Sequence, residues 1–190
     1  MDIQNEHMKH RCYFLAVICG GSLYNIYNYS SYDPTINNLF SIPYLHCLFT
    51  AYYFLWDTYE MVRCKELFRT ELLLHHVVAS FELINLMYYF ALQTSCFMIV
   101  ECISLMNVVW RDKPLLLKIY RTLCIFCVRI PSALYWGLYY DADIDYQYLL
   151  ETISIVHYNY LRSVQFALLL LVFYDMYILY QLYKPKKIKA

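Results

Sequence analysis

Residues Glu71–Gln93, ELLLHHVVASFELINLMYYFALQ, and Thr94–Asp112, TSCFMIVECISLMNVVWRD, decide the fold. Each run is long and apolar enough to cross a bilayer as a helix, which takes about 20 residues at about 1.5 Å rise per residue. The two runs join at Gln93, Thr94 and Ser95, and so short a join predicts an antiparallel hairpin. Against this apolar background His75, His76, Glu82, Asn85, Glu101, Ser104 and Asn107 stand out. Ionisable groups in hydrocarbon cost about 2.5–3.5 kcal/mol each on insertion scales, so by default they mark a functional or pairing site.

Composition extends the membrane reading to the whole chain. Of 190 residues, 61% are hydrophobic and 16% charged, and 3 glycines and 5 prolines are too few for a loop-rich or disordered protein. The 23 tyrosines suit a bilayer, where amphipathic rings sit at headgroup level. Basic and acidic residues balance at 15 each, which says little by itself; where the charges fall says more, and no nucleic-acid partner is expected. Cys12, Cys19, Cys47, Cys96, Cys102, Cys124 and Cys127 lie inside apolar runs and read as small hydrophobes, not as a disulfide framework. Cys124 and Cys127 form a CxxC, but without a second pair it is a weak metal or redox signal.

The sequence predicts an all-α membrane bundle of about six spans. Residues 1–11 read as a short polar tail, residues 12–183 as the transmembrane domain and residues 184–190 as a basic tail. The first span, from Cys12 to about Tyr29, reads as a retained helix, because Gly20-Gly21-Ser22 lacks a convincing signal-cleavage pattern. Asp33-Pro34 opens a loop, and a second span runs from about Leu39 to Tyr59 with Pro43 in its first turn. The hairpin supplies spans three and four. The fifth, from about Leu116 to Tyr140, contains Arg129 and Pro131, which predicts a kink there. The sixth runs from about Leu161 to Tyr183 and precedes the tail KPKKIKA.

The positive charges test this layout independently. Lys9 and Arg11, then Arg63, Lys65 and Arg69, then Arg111, Lys113, Lys118 and Arg121, then Lys184, Lys186, Lys187 and Lys189 fall on one side. The opposite loops, including the acidic stretch Asp141–Glu151, carry none; only Arg129 and Arg162 stand outside the pattern. The positive-inside rule then puts both termini in the cytosol.

Four pieces occur in order: FLWDTYEMV with Asp57, LLLHHVVAS with the histidine pair, ECISLMN with Glu101, Ser104 and Asn107, and FCVRIP with Arg129. Together they resemble the TLC domain shared by ceramide synthases, translocon-associated chain proteins and ceroid-lipofuscinosis-type proteins. The resemblance covers roughly Leu39 to Lys184. It implies a multi-pass protein of the endoplasmic reticulum or another endomembrane that handles, senses or regulates membrane lipids. One alternative is a ceramide-synthase-like N-acyltransferase with acyl-CoA as co-substrate; another is a cargo-binding trafficking protein. The chain departs from the ceramide synthases where their second aspartate belongs, since Glu101 is followed three residues on by Ser104. That departure brings it nearer the small TLC-domain proteins. The partners implied are lipids and the bilayer itself, with a homodimer left open.

The candidate catalytic residues are His75, His76 and Glu101. Adjacent histidines stand about 100° apart on a helix, so they cannot share one target with good geometry. One is a base or nucleophile for acyl transfer in the enzymatic reading; both bind neighbouring helices in the structural one. The same angle is a poor start for a tetrahedral metal site. Asp57, Glu82, Asn85, Ser104, Asn107, Arg129 and Asp175 are candidates for a lipid or polar pocket. Counted from the cytosolic ends, Glu82, Glu101, Arg129 and Asp175 lie about nine to eleven residues in, roughly 14–17 Å at helical rise. This predicts a mid-membrane layer in which Arg129 meets an acid.

Overall fold

The computed structural model describes residues 3–28, 41–65, 67–68, 70–110, 112–135 and 155–184. Among them the regular structure is helical throughout, with no strand. The acidic Asp141–Glu151 loop and the last residues of the basic tail lie outside the described residues. The chain forms two compact units, residues 1–112 and 113–190.

The first unit holds α1 (Ile3–Asn28), α2 (Ile42–Arg63), α3 (Thr70–Phe97), a 3-10 turn (Met98–Glu101) and α4 (Cys102–Val109). Helix α1 starts well before the predicted first span, so most of the polar segment before Cys12 is its first turns. Helix α2 begins where Ser41 caps it, its hydroxyl accepting the Tyr44 N–H at 3.3 Å, with Pro43 in the first turn. It continues past Tyr59 to Arg63, so Asp57 and Glu60 are helical residues.

His75 Nε2 lies 3.7 Å from Glu101 Oε1. On one straight helix these residues, 26 positions apart (101 − 75), would be separated by about 39 Å, so the chain doubles back between them. It does so without a separate loop: helical hydrogen bonding carries α3 through Gln93, Thr94 and Ser95 to Phe97. The predicted reversal is present, and helical turns extend through the predicted join as far as Phe97.

Packing explains the arrangement. Leu15 and Ile18 of α1 are buried against Tyr53 and Phe54 of α2, with Phe14, Phe49, Trp56, Met98 and Leu105 around them. Phe14 has ring centroids of Phe49, Tyr53 and Trp56 at 5.4, 5.5 and 5.1 Å, within the range of favourable aromatic pairing. A second cluster joins Cys47 and Ala51 of α2 to Leu83 and Met87 of α3.

The second unit contains α5 (Pro114–Cys124), a π turn (Ile125–Arg129), α6 (Ile130–Leu134) and α7 (Ile155–Tyr183). Pro131 has no N–H to give to the carbonyl four residues back, and its ring crowds that carbonyl. The ladder widens just before it, with the Ile130 N–H donating to the Ile125 carbonyl. The irregularity predicted near Arg129 takes this form.

Among the described residues one stretch, Ala91–Val109, is long and apolar enough by itself to cross a membrane. Helix α2 has the length, at 22 residues, but carries Asp57, Glu60 and Arg63.

The glycine pair of α1 has unequal duties. A Cβ at Gly20 would meet nothing within 4 Å, whereas one at Gly21 would strike the His46 ring of α2. Gly21→Ala should therefore destabilise the protein by about 1–3 kcal/mol, the usual effect of overpacking. Gly20→Ala should be neutral or stabilising, because it removes chain entropy from an exposed helix position. Thermal unfolding of the two variants side by side checks this.

Candidate functional site: a buried carboxylate joining three helices

Asp57 is completely buried, and its carboxylate collects side chains from both neighbouring helices. His7 Nε2 lies 2.8 Å from Oδ1, while Arg11 Nε and His76 Nδ1 lie 3.5 and 3.3 Å from Oδ2. Spacing makes this possible. His7 and Arg11 share a face of α1 at i and i+4, and Tyr53 and Asp57 share one of α2. Arg11 Nε also donates to the Tyr53 hydroxyl at 3.4 Å. His7 and His76 are almost wholly buried, and the Trp56 ring stacks on His7 at 5.3 Å.

Charge balance follows from the residue types. Arg11 is permanently cationic and supplies the fixed positive charge facing Asp57, while ring nitrogens of His7 and His76 take the other approaches to the carboxylate. With Nδ1–H of His76 turned to Asp57, Nε2 is its basic nitrogen; the tautomer is assigned from that contact. The contacts are close but poorly aligned, and neither Asp57 oxygen makes a hydrogen bond of good geometry. The cluster is held by charge and proximity more than by directed bonds.

The adjacent histidines divide as their angular separation requires. His76 turns inward to Asp57; His75 remains about half exposed, with Glu101 of the 3-10 turn as its acid. Glu101 is itself buried. The Ser80 hydroxyl donates to the His76 carbonyl at 2.7 Å, one turn along α3. The two rings therefore serve two carboxylates, 5.6 Å apart between centroids.

The other predicted residues separate into groups. Ser104 and Asn107 are half-buried on α4. Glu82 and Asn85 belong to α3, and their side chains lie outside the described residues. In the second unit Arg129 Nε is 3.3 Å from Oδ2 of fully buried Asp175. Arg129 thus meets a buried acid as the depth count predicts, and that acid is Asp175.

The sequence reading missed His7 and Arg11, which it placed in a tail. It also missed a second polar cluster at the far end of the first unit. There His46 Nδ1 lies 2.7 Å from Ser95 Oγ, and His46 Nε2 3.0 Å from the Ile18 carbonyl. The carbonyl can only accept, so Nε2 carries the proton and Ser95 donates to Nδ1. Asn25 Nδ2 donates to Ser95 Oγ, and the Ser22 hydroxyl to the Ser95 carbonyl at 2.8 Å. Ser95 is wholly enclosed, which makes this a fastening and not a reactive serine.

Among the described residues no group of three or more His, Cys, Asp or Glu side chains is arranged to hold a metal ion. His7 and His76 approach different oxygens of one carboxylate, so they flank it and do not converge on a common point. Comparison with protein-family models, curated proteins and solved structures finds no match.

The two ion pairs set the expected behaviour of three variants. Asp57→Ala takes from the largely buried Arg11 the acid it faces and should destabilise the protein by up to about 3 kcal/mol. Arg129→Ala should do the same by stranding Asp175, while Arg129→Met with Asp175→Leu should recover most of the loss, since paired replacement by apolar residues is often neutral. Denaturation of the purified variants measures all three.

Proposed function

We propose that the chain is a multi-pass membrane protein of about six spans, both termini cytosolic, that handles membrane lipids. What carries the reading is where polarity lies. Asp57, Glu101 and Asp175 are buried, as are His46, His76, Asn25 and Ser95. Meanwhile Tyr52, Leu55, Tyr59 and Val62 of α2, and Leu74, Val77, Val78 and Phe81 of α3, are exposed. Soluble monomers rarely carry contiguous apolar surface beyond a few hundred Å². A bilayer tolerates it, and there ionisable residues turn to the bundle interior and pair. The TLC-like order of motifs adds the lipid to this reading, and an endomembrane location with it.

A second reading, an acyl-CoA-dependent N-acyltransferase, is favoured by one observation: each histidine has its own carboxylate, the base-and-orienter pattern of acyl-transfer sites. Purified protein given long-chain acyl-CoA and a sphingoid base should then release CoA. His75→Ala or His76→Ala should abolish release without lowering the melting temperature by an equal amount in both. Absence of turnover in the wild type removes the enzyme and leaves the lipid-handling bundle.

The membrane reading has a direct test. Helix α2 would span about 33 Å, close to the ~30 Å hydrocarbon core. In a chain otherwise free of cysteine, Cys64 should label from the cytosolic side and Ser41→Cys from the opposite side. The protein should also stay with membranes through alkaline carbonate. Labelling of both positions from one side, or release by carbonate, overturns the proposal.

A further inference from the structure

A cleft of about 540 Å³ lies between the first turns of α1 and the end of α4. Met8, Val108 and Val109 form its apolar wall; Asn5, Lys9, Cys12 and Asp112 supply the polar groups. Lys9 and Asp112 carry opposite charges, and among the described residues neither has an ion-pair partner. They share the cleft without neutralising each other, so a ligand between them meets a cation on one side and an anion on the other.

We propose that this cleft takes the zwitterionic headgroup of a phospholipid, with Lys9 beside the phosphate and Asp112 beside the ammonium. The inference rests on the lipid-handling reading and adds the class of lipid. Three observations converge on it. The charges are complementary to a zwitterion, whereas an anionic headgroup would satisfy Lys9 and oppose Asp112. The several phosphates of acyl-CoA would fit it worse still. The cleft lies at the end of the unit where Arg11, Arg63 and Lys65 also fall, which the charge rule places at the cytosolic headgroup level. Below Lys9 on the same helical stripe, Tyr13 and Val17 are exposed one and two turns on, an apolar track for an acyl chain.

The test uses the full chain in detergent micelles doped with dioleoyl phosphatidylethanolamine or dioleoyl phosphatidylglycerol, with retained lipid counted by native mass spectrometry. Both charges are on the surface, so neutralising either leaves the fold intact. Wild type should retain the ethanolamine lipid over the glycerol lipid by up to about fivefold, the ratio given by ~1 kcal/mol for an exposed charge contact. Asp112→Asn should bring that ratio close to one, and Lys9→Met should reduce retention of both lipids. Retention that ignores headgroup and both substitutions overturns the headgroup site while leaving lipid handling in place. Failure to retain either lipid overturns both.

Discussion

The first unit depends on a carboxylate that is tolerable only when three helices are assembled. Asp57 has no exposed surface, and burying an unpaired carboxylate costs several kcal/mol. Its compensation comes from elsewhere in the chain: Arg11 and His7 from α1, His76 from α3. Remove α1 and the anion loses its cation; remove α3 and it loses the ring that closes its other side. The pair therefore contributes less to net stability than to the coupling of the helices, since an apolar pair of equal volume would be as stable. What the ions add is that no two of the three helices suffice.

Helix α1 is fastened again at its far end, by Ser22 and Asn25 on Ser95 and by the Ile18 carbonyl on His46. Between the two polar ends stands the aromatic tier of Phe14, Phe49, Tyr53 and Trp56. From His7 to Asn25 is roughly 27 Å of helix, most of a bilayer's hydrocarbon thickness. Sliding α1 by one residue would rotate its face by about 100° and break both ends together. In the proposed bilayer setting this matters, because lipid tails are as apolar as leucine and the hydrophobic effect gives helices no reason to associate there. Close packing and polar contacts remain, and Gly21 beside His46 shows the first serving the second.

How far the sequence could be read depended on where polar residues met an apolar background. The histidine pair, Glu101, Asp57, Arg129 and Asp175 stand out in hydrophobic runs, and each has a partner across a helix boundary. The pairing of Arg129 with a buried acid followed from depth alone, but which acid did not, because a count along the chain carries no angular information. His7 and Arg11 escaped notice because their surroundings are polar, so a hydropathy reading ends the helix at Cys12. The signal lay in spacing instead: His7, Arg11, Phe14, Ile18, Ser22 and Asn25 recur every three or four residues without a break. That stripe runs straight through the boundary that composition suggests. The helical turns through Ser95 were hidden for the opposite reason, since Gln-Thr-Ser reads as an open turn by residue type.

The division of the histidines limits any chemistry the site can do. His76 has an acid at 3.3 Å to set its tautomer, yet its side chain is almost wholly enclosed by α1 and α2. His75 is open to a ligand, but its acid stands off at 3.7 Å, beyond a well-formed hydrogen bond. A general base needs both properties in one residue, an orienting partner and a path for the substrate. In this arrangement they belong to neighbours pointing about 100° apart. To unite them, α1 would have to swing away from α2 and uncover His76, and that movement would take Arg11 from Asp57. The group that would complete the base is the one whose exposure dismantles the ion pair. The buried histidine is therefore tied into the helix contacts, and the exposed face of the pair begins at His75.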